Sequence, residues 1–372
     1  MKVLQLTAHF RPNIGGVETH LDDLVKALIK HDWLVTVLTY RPLTARSNWK
    51  IYEGSANLSI IRIPWIPNLF YSLVSLPLFE FLYLVPGLFL FTPFILIIVN
   101  PDVVHAHGLV AGFVAVFWSK IFNKKVVIST HSIYSFPEKS FYKSFVTWIF
   151  KNAQFCLGLS KQAASEILSL GIDKNKVSNF TYWIDLENFT KVKNAKVSLG
   201  WDKKFVVLFV GRLISEKGLE ILLESAKSWH EGIELKIIGT GPLEDLVIET
   251  VSKQKNIEYL GVVTQNKLPE YYSASDILIV PSASEEGFGR VIIEALACGT
   301  PVIGSNRGAI SEAINNKVGR LIDISVESIK NNVEDFYNNN DKLVNLAKNC
   351  RNLAERRYSE KNIETIINTY TK

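Results

Sequence analysis

Short β-branched runs alternate with helical stretches along this chain, and the alternation starts twice. In the first half KVLQLTA, LVTVLTY, LSIIRIP, DVVHAHG, KVVISTH and FCLGLS read as strands. ETHLDDLVKALIKH and SKQAASEILSLG fall between them with the spacing of helices. After Gly200 the pattern begins again with FVVLFVG, ELKIIGTG, IEYLGVV, DILIVPS and TPVIGS. Strands separated by helices pair in parallel and are covered by those helices on both faces. The expected architecture is therefore α/β, with two doubly wound Rossmann-like domains facing a cleft. A length of 372 residues agrees, because one hydrophobic core rarely serves so many. The polar stretch around Asn188 to Gly200 reads as the hinge. This gives residues 1–187 as the first domain, 188–350 as the second, and 351–372 as a polar helical tail.

Composition removes several classes of function. Apolar residues make up 48% of the chain and charged ones 21%, which is ample for two cores. The net charge of +5 is mild and spread out. Nucleic acid is therefore not expected as a partner, while an anionic ligand or a lipid surface stays open. Cys156, Cys298 and Cys350 are odd in number and far apart, as in a reducing interior, and offer no disulfide framework. There is no HExxH, no clustered Cys/His spacing and no Asp-x-Asp, so no metal is expected. The opening MKVLQLTAHF runs straight into a strand pattern without the features of a secretory signal. The expected location is cytoplasmic, free or peripheral at the cytoplasmic face of a membrane.

One segment departs from this picture. Residues 69–99 are overwhelmingly apolar and carry a single charge, Glu80. That length can span a bilayer, but Pro77, Pro86 and Pro93 interrupt a straight helix. The favoured reading is a helical pair that packs internally or dips into one leaflet, ahead of a transmembrane helix.

In open parallel sheets, ligands bind just beyond the C-terminal ends of strands. The residues found there are Gly15 and Gly16, His107, His131 and Ser160, then Gly211 and Arg212, Gly239 and Gly241, and finally EEGFGR. Gly15 and Gly16 free backbone N–H groups at a helix start, which suits a phosphate, although a plain tight turn explains them too. In VGRLISEKG, Arg212 and Lys217 read as a diphosphate clamp, a planar fork beside a point charge. IIGTGP lacks the third glycine of a dinucleotide fingerprint. Its Gly241 serves either close approach of a ligand or simple packing. His131, in STHS, reads as a ligand contact, His107 as more often structural, and His105 as lying within the sheet.

EEGFGRVIIEALACGTPVIGS carries two acids, Glu286 and Glu294, around Gly287, Phe288 and Gly289. A helix starting near Phe288 turns its first N–H groups toward a phosphate. Eight helical residues rise about 12 Å, the reach from the sugar of a nucleotide-sugar to its ribose. Two carboxylates so placed hold vicinal hydroxyls at both ends of one ligand. Two surface glutamates are the plain alternative.

Together these stretches resemble the retaining glycosyltransferases of the GT-B fold, in the group called family 4. The resemblance runs through GGVE, DVVHAHG, STHS, VGRLISEKG, IIGTGP, ASDILIVPS and the Glu-x7-Glu stretch, in the family's order. It implies that Glu286 binds donor-sugar hydroxyls and Glu294 the ribose. It further implies that Arg212 and Lys217 neutralise the diphosphate, that Gly15 and Gly16 pass close to the donor, and that His131 sits near the donor sugar. The tail would cross back onto the first domain. No cofactor is implied beyond a nucleotide-sugar donor, a UDP- or GDP-sugar. The acceptor would be a glycan or, given residues 69–99, a lipid-linked glycan or glycolipid. The family's Pro-Asn-Gly-Val-Asp pattern is here FTYWIDLENF, which keeps only Asp185 and Phe189 and sets bulky Tyr182 and Trp183 in that loop. A sugar-nucleotide epimerase of the same fold and a non-catalytic nucleotide-sugar-binding protein are the competing readings.

Overall fold

The computed structural model describes residues 1–13, 15–43, 48–67, 77–131, 141–285 and 287–372. The chain forms two compact units, Met1–Thr181 together with Asn362–Lys372, and Tyr182–Lys361. Unit 1 carries strands β1 (Lys2–Thr7), β2 (Leu34–Tyr40), β3 (Tyr52–Gly54), β4 (Leu58–Ile63), β5 (Val103–His107), β6 (Lys125–Thr130), β7 (Phe155–Gly158) and β8 (Val177–Asn179). Its helices are α1 (Gly16–Lys30), α2 (Pro77–Val99), α3 (Gly108–Phe122), α4 (Phe141–Lys151) and α5 (Lys161–Ser169). Among the described residues these strands make one sheet in the order β3-β4-β2-β1-β5-β6-β7-β8. Every pairing is parallel except β3 with β4.

Unit 2 repeats the plan more compactly. Its strands are β9 (Phe205–Val210), β10 (Ile233–Ile238), β11 (Ile257–Gly261), β12 (Ile277–Val280), β13 (Val302–Ser305) and β14 (Gly319–Ile322). Its helices are α6 (Ala195–Ser198), α7 (Leu219–Ala226), α8 (Glu244–Lys253), α9 (Leu268–Ala274), α10 (Arg290–Ala297), α11 (Ile310–Ala313), α12 (Val326–Asn338) and α13 (Asn340–Arg357). The sheet runs β11-β10-β9-β12-β13-β14 and is parallel throughout. The expected α/β class with two parallel-sheet units holds. Within the tail, α13 remains in unit 2, whereas the last helix, α14 (Ile363–Thr371), belongs to unit 1.

Alternation along the unit 1 strands separates two very different faces. Leu4, Leu6, Val104, Ala106, Val126 and Ile128 join an apolar core with Leu84, Leu88 and Leu96 of α2 and Val110 and Val114 of α3. The intervening Gln5, His105, His107 and Ser129 are equally buried and point the other way.

Helix α2 is continuous for 23 residues with Pro86 and Pro93 inside it, where the sequence suggested a broken pair. Residues 69–76 of that stretch lie outside the described residues. The reason is visible in the ladder that the prolines damage. Pro93 has no N–H for the carbonyl of Phe89, and the Trp118 indole donates to it instead at 2.8 Å. Around Pro86, the Trp65 indole donates to the Tyr83 carbonyl at 3.0 Å. The Tyr40 hydroxyl inserts into the helix, donating to Leu84 O and accepting from Leu88 N. Gly87 makes room for it, since a Cβ there would meet the Tyr40 ring and hydroxyl at 2.6 Å. The helix has no polar face: Leu90, Phe94, Ile97 and Ile98 are exposed while Leu84, Leu88 and Leu96 are buried. By length and apolar character it passes for a membrane span, with 39% of its most apolar window buried.

Candidate functional site

In unit 2 the strand order reverses between β9 and β12, the place where open parallel sheets bind ligands. The loop after β9 contains Arg212, exposed, and Lys217, half-buried, at the end of a short 3-10 turn, Ser215–Lys217. Gly218 follows with φ 68° and caps α7. A Cβ at Gly218 would lie 1.9 Å from the Pro281 carbonyl oxygen, so only glycine lets this loop back onto the end of β12. The Glu216 carbonyl then accepts from the N–H groups of Ala283 at 2.9 Å and Ser284 at 3.3 Å. Both cations thus stand on a loop pinned to the segment that leads into α10.

The turn after β10 packs on the same loop. A Cβ at Gly239 would meet the Gly211 carbonyl at 1.8 Å, and one at Gly241 the Leu213 carbonyl at 2.6 Å. Leu213 N donates to Thr240 O, and Leu243 N to Leu213 O. Backbone against backbone is sufficient reason for both glycines. Gly211 itself is under no such constraint, its nearest contact being the Phe209 ring at 3.6 Å.

Glu286 lies outside the described residues. Helix α10 begins at Arg290, after Gly289 caps it with φ 73°. This is two residues beyond the expected start, because the left-handed Gly289 cannot belong to the helix. The helix therefore covers only the Glu294 end of the stretch, and the rise of eight helical residues does not apply. Gly287 and Gly289 are half-buried. Between them the Phe288 ring goes into the core, edge-on to Tyr182 at 5.9 Å and Tyr358 at 5.7 Å.

Glu294 is only 4% exposed. One carboxylate oxygen accepts from Arg290 Nε at 3.0 Å and the other from the Tyr272 hydroxyl at 2.9 Å. Burial, and then the carboxylate, push the Tyr272 phenol well above the usual tyrosine range. The same causes raise the Cys298 thiol to about 12. Arg290 also donates to the Trp183 carbonyl at 3.3 Å. The departed loop has a structural use: Tyr182 and Trp183 are buried against the start of α10, and Asp185 accepts from the N–H groups of Glu187 and Asn188. Arg351 of α13 donates to the carbonyls of Leu186, Phe189 and Ala297 and so clamps that loop to the end of α10.

In unit 1 the reversal falls between β1 and β5. Gly15 caps α1 in an extended conformation, its carbonyl accepting from the Thr19 N–H and hydroxyl, and Gly16 opens the helix. Behind this helix the polar face of the sheet forms a connected cluster. His131 Nε2 is 3.1 Å from His107 Nδ1, and His107 Nε2 is 2.6 Å from Gln5 Oε1. Gln5 Nε2 donates to the Tyr370 hydroxyl at 3.2 Å. That hydroxyl is 2.5 Å from His105 Nδ1, and His105 Nε2 is 2.6 Å from Ser129 Oγ. His20 of α1 lies tilted against His131, with ring centroids 5.7 Å apart, and Phe180 packs on both, 5.5 Å from His20 and edge-on to His131 at 5.9 Å. Burial lowers the basicity of His105, His107 and His131, the last to about 3, so they are neutral at physiological pH.

Gln5, Ser129 and His20 were not singled out from the sequence, although one signal was available. In parallel register, polar residues two apart on β1, β5 and β6 must share a face. Tyr370 had no such signal, being 365 residues from Gln5. Arg290 and Tyr272 were likewise unforeseen as the partners of Glu294. Among the described residues no three His, Cys, Asp or Glu side chains gather as metal ligands.

Known proteins bear on this geometry. Residues 14–188 match the family described as Glycosyltransferase Family 4, and residues 191–353 that of Glycosyl transferases group 1. An uncharacterized glycosyltransferase of Methanocaldococcus jannaschii is 27% identical over 345 residues, 86% of this chain and 84% of the relative. Sucrose-phosphate synthase from Thermosynechococcus elongatus superposes with a TM-score of 0.82 over 100% of this chain and 98% of its own, at 22% identity. The Anabaena protein HepE in complex with UDP gives 0.78 over 100% of both chains, at 20% identity. HepE is also known in complex with UDP-glucose. These structures share the fold.

Proposed function

The chain belongs to family 4 of the GT-B glycosyltransferases, and on that basis we propose that it transfers a hexose from a UDP- or GDP-sugar to an acceptor hydroxyl with retention of configuration. The observation that carries this reading is the pinned loop of unit 2, which fixes Arg212 and Lys217 beside the approach to α10. Charges held in place before the reaction stabilise a developing anion without reorganising, usually the largest catalytic effect. In this reading the bond from the anomeric carbon to the diphosphate oxygen breaks as the bond to the acceptor oxygen forms on the same face. The acceptor's proton passes to the departing diphosphate. Arg212 and Lys217 meet the charge that a metal meets elsewhere, so chelation with EDTA should leave the rate unchanged.

Glu286 takes donor-sugar hydroxyls, His131 meets the donor sugar, and Glu294 takes the ribose. An ionised carboxylate has about four acceptor sites, and Arg290 and Tyr272 are two of the groups that Glu294 accepts from. The UDP and UDP-glucose held by HepE favour a uridine donor. Calorimetric binding of UDP, GDP and ADP and their glucose and mannose conjugates tests this. One base should bind, and Lys217→Ala should lower turnover roughly 100-fold or more in a folded protein. Failure of every nucleotide to bind, or turnover within a few-fold of normal, sinks the assignment. Nucleotide-sugar turnover without transfer to any acceptor would favour the epimerase.

For the acceptor, the outer surface of unit 1 favours a lipid-linked molecule at a membrane face. Leu90, Phe94, Ile97 and Ile98 of α2 and Phe117 and Ile121 of α3 are exposed, and Lys120 lies over the Trp148 ring beside them. Apolar insertion flanked by cations suits an anionic leaflet. Sedimentation with anionic vesicles should retain the protein and release an Ile97→Glu, Ile98→Glu variant. Equal sedimentation of both proteins would dismiss the idea.

A further inference from the structure

The C-terminal ends of β2 and β4 hold a polar patch apart from the histidine cluster. Thr39 of β2 lies opposite Arg62 of β4 in the parallel register, and Arg41 follows Thr39 by two residues. Side chains so placed share one face of the sheet, whereas Tyr40 between them enters α2 on the other. Thr39 is 0% exposed and Arg62 2%. Thr39 Oγ1, Arg41 Nε and Arg62 Nε are buried, and none of them has a hydrogen-bond partner among the described residues. Buried polar atoms ordinarily have partners, so three without one on a single patch mark a place that receives a polar ligand.

The patch is firmly held and cationic. Arg62 Nη1 donates to the Lys50 carbonyl at 3.2 Å and to Glu53 at 2.8 Å, and Nη2 to the Arg11 carbonyl at 3.0 Å. It thereby rivets the loop after β1 to the β3–β4 pair. Asn13 Oδ1 accepts from Leu43 N at 3.1 Å and ties the same loop to the chain after β2. Arg41 N donates to Ile63 O at 2.9 Å, and its guanidinium lies over the Trp49 ring, 5.0 Å from the centroid. The ring orients the guanidinium, yet among the described residues nothing accepts from it. The carboxylates around it are engaged, Glu53 by Arg62, and Asp22 by Arg11 and Lys26. Arg41 is half-buried, so its fork is both held and within reach.

We propose that Arg41, backed by Arg62 and Thr39, binds a phosphate group, and that this phosphate belongs to the acceptor. A planar guanidinium takes two phosphate oxygens at once, and the charge left over on this patch favours an anion. Strand ends of an open parallel sheet are where such a ligand arrives. A lipid-linked sugar and a soluble sugar phosphate present the same oxygens to Arg41, and they differ only in the chain beyond. The word acceptor rests on the transferase reading above. Phosphate binding at Arg41 does not, and the two are measured separately.

The test uses the full chain with Arg212→Gln and Lys217→Gln, which removes the other cations proposed to meet phosphate. In that protein, labelled with 15N-arginine, the Arg41 Nε–H signal is assigned by Arg41→Lys. It should move on titration with inorganic phosphate and with farnesyl phosphate. Tighter binding of farnesyl phosphate assigns the site to a lipid-linked acceptor, and equal binding assigns it to a soluble one. Followed by 31P line broadening, Arg41→Gln should weaken both probes roughly tenfold or more, the scale of lost hydrogen bonds to a charged group. Arg41→Lys should weaken them less, because the ammonium keeps the charge and loses the fork. An Arg41 signal that moves no more than that of exposed Arg356 marks an adventitious ion only and overturns the proposal. Phosphate binding unchanged in a folded Arg41→Gln protein overturns it too. Phosphate held through Arg41 in a chain that binds no nucleotide would keep this site and remove the transferase reading.

Discussion

In the unit 1 cluster that runs from His131 to Ser129, the buried polar side chains are imidazoles, an amide and hydroxyls, none of them charged at neutral pH. In unit 2 the corresponding investment is a guanidinium and a carboxylate, Arg290 and Glu294, at most 6% exposed. The neutral chain can lose one link and keep the rest, since each link is an ordinary hydrogen bond. The ion pair cannot, because removing either partner strands a charge in a low-dielectric interior. One arrangement fails gradually, the other abruptly.

The largest expected effect tests the abrupt side. Arg290→Leu should destabilise unit 2 by about 3–5 kcal/mol, read from hydrogen exchange in peptides of β9 to β13. A loss below 1 kcal/mol would mean that water already reaches Glu294. Next, Tyr272→Phe removes a hydroxyl that donates to a charged group, and should cost about 2 kcal/mol. The third prediction concerns acid. The His131 pKa falls from 6.5 in the unfolded chain to about 3 in the folded one. Between those values the unfolded chain takes up a proton that folded unit 1 refuses, so stability falls as pH falls. At pH 5.5 His131 should cost unit 1 about 1.3 kcal/mol relative to pH 7. A His131→Gln variant whose unit 1 stability still had the same slope below pH 6.5 would contradict this. The smallest effect is Tyr370→Phe, about 1 kcal/mol, since that hydroxyl serves neutral partners only. Equal costs for the two tyrosines would erase the contrast between the units.

How much of this was legible depended on where the partners lie in the chain. Strands with four or more apolar or β-branched residues in a row announced themselves. The three-residue β3 and β8 left no run to recognise, and β14 opens with Gly319 and Arg320. The arginine is explained by Asn332 and Asp335 of α12, which accept from it. Helix α2 was misjudged because prolines are local signals, whereas their remedy comes from Tyr40, Trp65 and Trp118. Likewise, the glycines, cations and histidines at strand ends could be located from the sequence. What holds them could not, because Tyr370 and Arg351 act across long separations. The start of α10 was misplaced for a smaller reason, a glycine whose φ no pattern of hydrophobicity reveals.

Unit 1 is discontinuous, and that has a consequence in time. Its sheet is complete in the chain by Asn179, but α14 follows only after all of unit 2. Domains fold as they emerge during synthesis, the earlier before the later. The first unit to begin folding therefore waits, its histidine row uncovered by Tyr370, until unit 2 has been translated. A nascent chain arrested between Lys361 and Asn362 holds both sheets and lacks the side chain that orders the polar face of the first.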